Sequence, residues 1–220
     1  MVLDESPSTR PSRGRRGVAF GVALLLVAVG AFAVGRLSTS FVSTPNNTSA
    51  AAGFARDMQV HHDQGVELAM IIRDRSTDDD IRGLAYDIAT SQSNQSGQML
   101  AWLNEWKLPQ ASPEPAMTWM TRPTLTGAGH DHGTEGAHNP GDPMPGLATR
   151  AQIAELQSLN GPAAEKLFLQ LMIAHHQGAI EMAEAVLDRT EVRVVIQLAT
   201  SIVKAQQSEI DYMNELLARY

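Results

Sequence analysis

The sequence predicts an all-α protein: a ferritin-like four-helix bundle built from two duplicated helical hairpins, preceded by a transmembrane helix. Three observations predict it. One segment occurs twice, each copy contains two stretches of helical apolar spacing, and a separate apolar run lies near the N-terminus.

The duplication is plainest at residues 54–69, FARDMQVHHDQGVELA, and 168–183, FLQLMIAHHQGAIEMA, which align without a gap 114 positions apart. The match continues through Asp74-Arg75 and Asp188-Arg189, Leu84-Ala85 and Leu198-Ala199, Gln92 and Gln206, and Met99 and Met213. The repeat units are residues 54–106 and 162–220, too long for one helix and suited to a hairpin. In the first copy Phe54, Met58, His61, His62, Gly65, Leu68, Ala69 and Ile72 share one helical face, and Ile81, Leu84, Ala85, Ile88, Gln92, Gln95 and Met99 share another. Ser76-Thr77 is the expected N-cap between them, followed by three aspartates where the helix dipole favours negative charge. Two such hairpins bury their apolar faces by pairing.

The remaining segments follow from composition. Residues 1–16 form a basic tail with four arginines, Arg10, Arg13, Arg15 and Arg16, and residues 17–35 are an apolar run near the length needed to span a bilayer. The flanking arginines predict a cytoplasmic N-terminus, and so a bundle outside the cytoplasm at the cell membrane. The alternative is a cleaved signal peptide, with Ala31-Phe32-Ala33 as the small-residue site, and a secreted bundle. Residues 36–53 read as a flexible tether. Residues 109–148 are rich in Pro and Gly and read as an irregular loop. A capping box at Thr149 and Gln152 then opens a short helix over residues 149–160, and Pro162 suits the first turn of the next.

With no cysteine, the chain offers no thiolate ligand and no catalytic thiol. A net charge of −7 and no basic patch in the repeats argue against nucleic acid. No nucleophile–base constellation or phosphate-binding glycine loop appears, so the chain reads as a binder and not an enzyme.

The chemistry concentrates on the repeated Met-x-x-His-His. At about 100° per residue, His61 and His62 fall within roughly 60° of Met58, and His175 and His176 bear the same relation to Met172. Met182 lies at the edge of that face. Glu67 and Glu181 fall on the opposite side and are not expected at the site. Counting from the hairpin turns places Gln92 and Gln206 level with the histidines, and Gln95 and Glu209 level with Met58 and Met172. A glutamine facing a histidine would hold one ring nitrogen and leave the other for a metal. Packed about a pseudo-two-fold axis, the two hairpins would bring four imidazoles and two thioethers to one level. Imidazole suits copper, zinc and iron, and thioether favours Cu(I), so copper is the first expectation. In the loop, His130, His132, His138 and Met144 are candidates for an accessory capture site.

These motifs resemble the domain-of-unknown-function family 305, a ferritin-like helical family. The resemblance rests on MIAHHQGAIEMA at 172–183, the looser MQVHHDQGVELA at 58–69, Met144-Pro145-Gly146-Leu147, and LATSIVKAQQSEIDYM at 198–213. It implies an exported four-helix bundle whose members are linked to copper through Met and His. Carried over by residue, it points to Met172, His175, His176 and Met182, and to Met58, His61 and His62. The chain departs from the pattern at Leu68, where the second copy has Met182, and at Gln64-Gly65 against Gly178-Ala179.

Two other readings compete. A di-iron oxidase needs Glu three residues before the ligating histidine, where this chain has Met58 and Met172. A metal-free structural or sensory bundle would satisfy its histidines internally.

Overall fold

The computed structural model describes residues 13–39, 44–127 and 139–220. They contain six α-helices and no strand: α1 (Arg13–Thr39), α2 (Ala50–Arg75), α3 (Asp79–Glu105), α4 (Arg150–Ser158), α5 (Gly161–Leu187) and α6 (Arg193–Leu217). Two compact units result, one holding α1 and one running Pro45–Tyr220.

α1 exposes large apolar side chains, among them Phe20, Leu24, Leu25, Leu26 and Phe32. Among the described residues no helix is long and apolar enough to cross a membrane. The transmembrane helix anticipated at residues 17–35 is therefore not established by the fold.

In the second unit, α2 packs against α3, α5 against α6, and α2 against α5. The core is divided in two. One apolar cluster joins Phe54 and Met58 of α2 and Met99 of α3 to Met182 and Val186 of α5 and Val195 and Ile202 of α6. The other joins Leu68 and Ile72 of α2 and Ile81 and Ile88 of α3 to Phe168 and Met172 of α5 and Met213 of α6. The start of α2 thus meets the end of α5, so the two central helices run antiparallel and the repeats are related by an approximate two-fold axis. The His-His pairs fall between the clusters.

Local chemistry sets the helix ends. Ser49 caps α2, its hydroxyl accepting from the Ala52 N–H at 3.2 Å, and Ala50, Ala51 and Ala52 are buried. The bundle therefore takes in the last residues of the anticipated tether. The N-cap of α3 is Asp78, not Ser76-Thr77: its Oδ1 accepts from the N–H groups of Asp80 at 2.9 Å and Ile81 at 3.1 Å. A carboxylate is the stronger acceptor at the positive end of a helix. Ser76 instead closes α2, and its hydroxyl donates to buried Glu165 of α5 at 2.5 Å. The capping box at Thr149 and Gln152 forms, and Pro162 occupies the first turn of α5.

The loop between the repeats is more ordered than its composition suggests. Asp57 of α2 is buried, and its Oδ2 accepts from the Met117 N–H at 2.7 Å and the Trp119 Nε1–H at 2.9 Å. Trp119 sits in a short 3₁₀ turn, Thr118–Thr121, edge-on to Phe54 with ring centroids 5.8 Å apart. Arg56 next to Asp57 donates twice to the Pro109 carbonyl, at 3.0 and 2.8 Å. Replacing Asp57 by Ala strands two buried donors and should lower unfolding stability by about 3 kcal/mol. Asp63→Ala, at an exposed site on the same helix, should change it by less than about 0.5 kcal/mol in the same urea titration.

Candidate metal centre

The antiparallel packing of α2 on α5 places His61, His62, His175 and His176 in one layer, each fully buried. The His61 and His175 rings are closest, with centroids 4.0 Å apart, and His62 and His176 lie outward at 6.4 and 6.0 Å from their neighbours.

Each ring is fixed through the same atom. His61 Nε2 donates to the Pro145 carbonyl at 3.0 Å and His175 Nε2 to the His61 carbonyl at 2.8 Å. His62 Nε2 donates to Gln95 Oε1 at 2.7 Å and His176 Nε2 to Glu209 Oε2 at 2.6 Å. All four partners are acceptors, which assigns the proton to Nε2 in every ring. The four Nδ1 lone pairs are buried and have no hydrogen-bond partner. Neutral imidazoles held at one nitrogen and free at the other are what a metal ion requires.

Of the four polar residues expected to back the rings, Gln95 and Glu209 hold the outer histidines, whereas Gln92 and Gln206, expected level with the rings, do not bond to them. Side chains on a helix tilt toward its N-terminus, so the imidazoles lie over the turn that contains Met58 or Met172. That moves their polar partners one turn along α3 and α6.

The methionines also sort differently. Met58 and Met182 share one apolar cluster with Met99, Met117 and Met144, whereas Met172 lies in the other with Met213. Ten residues separate Met172 from Met182, about 15 Å along α5, so one ion cannot take both thioethers. The pairing that the structure supports is Met58 with Met182, from different repeats. Glu67 and Glu181 are exposed, on the far side from the histidines. His130, His132 and His138 lie outside the described residues.

Among the described residues no group of three or more His, Cys, Asp or Glu side chains is arranged to hold a metal. The four rings thus share a level without converging on one point. An ion here would combine imidazole with thioether or amide donors.

Two features were not foreseen from sequence. One is the Pro145 carbonyl, which fixes His61 although it comes from the loop. The other is Gln64, whose amide donates to the Ala148 carbonyl at 3.0 Å and accepts from the Ala148 N–H at 2.6 Å. Gly178, the counterpart of Gln64, completes this seating: a Cβ there would lie 2.0 Å from the Pro145 oxygen. The two repeats differ at this position because one grips the loop and the other makes room for it.

Burial keeps His61, His62 and His175 uncharged. Desolvation lowers His61 from the ordinary 6.5 to about 4 and His62 to about 3, and holds His175 well below the ordinary value; the neighbouring rings push His62 and His175 down further. In the unfolded chain these groups take up a proton as pH falls below about 6.5, while in the bundle they resist it. Stability should be level above about pH 7 and fall as pH drops from about 6.5 toward 4. His61 alone accounts for about 3 kcal/mol of the loss. Thermal melts across this range check it, and a His61→Gln variant should show a shallower fall.

The comparisons agree with this architecture. The model of a domain of unknown function, DUF305, matches residues 51–217. A DUF305 protein of Streptomyces coelicolor is 45% identical, with TM-score 0.68, covering 79% of this chain and 95% of that one. CopM, solved with Cu(I), Cu(II) or silver bound, has the same fold; the Cu(I) form is 20% identical, with TM-score 0.55, covering 80% of this chain and 97% of its own. The uncharacterized protein L153 of Acanthamoeba polyphaga mimivirus is 39% identical over 71 residues, 32% of this chain, and the match spans 40% of that protein's length. The chain, matched by one family model through both repeats and the loop between them, belongs to the DUF305 family.

Proposed function

We propose that this protein binds copper outside the cytoplasm, to sequester or transfer it, through the imidazole layer and the adjoining thioethers of Met58 and Met182. The observation that carries the reading is the set of four buried Nδ1 atoms without partners. A bundle that used these histidines only for packing would gain by pairing both nitrogens or replacing the rings with apolar groups. Imidazole and thioether donors without thiolate suit copper, with zinc and iron as weaker candidates. CopM, of the same fold, is solved with copper bound.

The layer is suited to binding, not turnover. His61, His62 and His175 are held neutral by burial, and Glu209 bonds to His176. The positions three residues before His61 and His175 are buried methionines, which leaves the di-iron reading without its glutamates. We assign α1 as a membrane anchor that keeps the bundle outside the cytoplasm. Fractionation of cells expressing the full chain checks this: recovery with the membranes supports the anchor, and recovery of a shortened, soluble chain from the medium sinks it.

Titration of the full chain in detergent with Cu(I), Cu(II) and Zn(II) tests the binding. At free copper of about 100 times Kd, the bundle should gain about 3 kcal/mol of stability. Replacing all four histidines with Ala should weaken copper binding by roughly a hundredfold or more. A variant that folds, by circular dichroism, and binds copper as tightly as the parent would overturn the assignment. A parent that neither binds copper nor gains stability from it would favour the metal-free bundle.

A further inference from the structure

Gln92 is the least satisfied side chain in the core. It is 2% exposed, and both its Nε2 and its Oε1 are buried without a hydrogen-bond partner. The notion that it orients a histidine fails, because Gln95 takes that place. Leaving both ends of a buried amide unpaired is costly, and such a group calls for an explanation other than packing.

The backbone of α2 supplies one. Gly65 faces Gln92 across the helix contact. A Cβ at Gly65 would lie 2.1 Å from Gln92 Oε1 and 2.8 Å from His175 Cε1, so the amide and the ring both close on the bare Cα of Gly65, an approach that only glycine permits. His175 Cε1 carries both ring nitrogens, Nε2 held by the His61 carbonyl and Nδ1 without a partner. An unpaired amide and a ring with one unpaired nitrogen therefore meet over Gly65. The arrangement is one-sided: the counterpart of Gly65 is Ala179, fully buried, and of the Gln206 amide only Oε1 is both buried and unpaired.

We propose that Gln92 Oε1 is a direct donor to the ion that His175 Nδ1 binds, at the close approach that Gly65 permits. This deepens the copper reading and rests on it. An oxygen donor beside imidazole suits Cu(II) better than Cu(I), so Gln92 sets which oxidation state the layer accepts.

Three variants of the full chain test this. Gln92→Leu removes two unpaired polar atoms at similar volume. It should raise the melting temperature of the copper-free protein and weaken Cu(II) binding roughly tenfold or more. Gln92→Glu keeps an oxygen at the same reach and should retain Cu(II) affinity within about threefold of the parent. Gly65→Ala should weaken Cu(II) as Gln92→Leu does. If Gln92→Leu lowers the copper-free melting temperature, the side chain is a structural hydrogen-bonder and the proposal fails. It also fails if Gln92→Leu leaves Cu(II) affinity unchanged while the four-histidine variant loses it, an outcome that leaves the copper reading intact. A parent chain that binds no copper overturns both.

Discussion

The burial of four imidazoles between two apolar clusters is the constraint on which the rest of this structure depends. A polar layer across a bundle core is tolerable only when its hydrogen bonds are made. Here each ring makes one, always through Nε2, and the acceptors come from four places: a loop carbonyl, a helix carbonyl, an amide and a carboxylate. Satisfying them fixes the seating of the loop on α5, the close approach of α5 to α2 at Gly65, and the register of α3 and α6 against the central pair. The unmet half of each ring is then a property of the fold as a whole.

The duplication explains the layer, and its divergence explains the site. Symmetry brings His61 and His175 together at the pseudo-axis, but the two rings then part company. His175 reaches across to the backbone of α2, while His61 turns to the loop, which has no counterpart in the other half. Gln64 against Gly178 and Gly65 against Ala179 are the local cause. The outer pair differs too: His62 is backed by a neutral amide and His176 by a carboxylate. The layer thus draws on both halves, with Met58 of one repeat and Met182 of the other in the same apolar cluster.

Much of the bundle was legible in the sequence, for a definite reason. Helical periodicity and repetition are both local signals, and Met58, His61, His62 and their copies show them together. The exclusion of Glu67 and Glu181 follows from the same wheel. Heights across a hairpin were less legible: Gln92 was placed beside the histidines because counting from the turn ignores the tilt of side chains toward the helix N-terminus, and Gln95 holds His62 instead. The pairing of Met58 with Met182 needed the antiparallel packing of α2 on α5, which no single repeat reveals. The Pro145 carbonyl carries no side-chain signature at all. Its only trace in sequence is Met144-Pro145-Gly146-Leu147, a turn motif ahead of a capping box.

The central claim is that each imidazole carries a proton at Nε2 and is open at Nδ1 to a metal ion. Long-range proton–nitrogen NMR correlation of the histidine rings tests it most directly, in the copper-free full chain and again with diamagnetic Ag(I). The account predicts the Nε2–H tautomer for His61, His62, His175 and His176 without metal, and a shift confined to Nδ1 resonances when Ag(I) is added. Rings protonated at Nδ1, or Nδ1 resonances that do not move with silver, would contradict it.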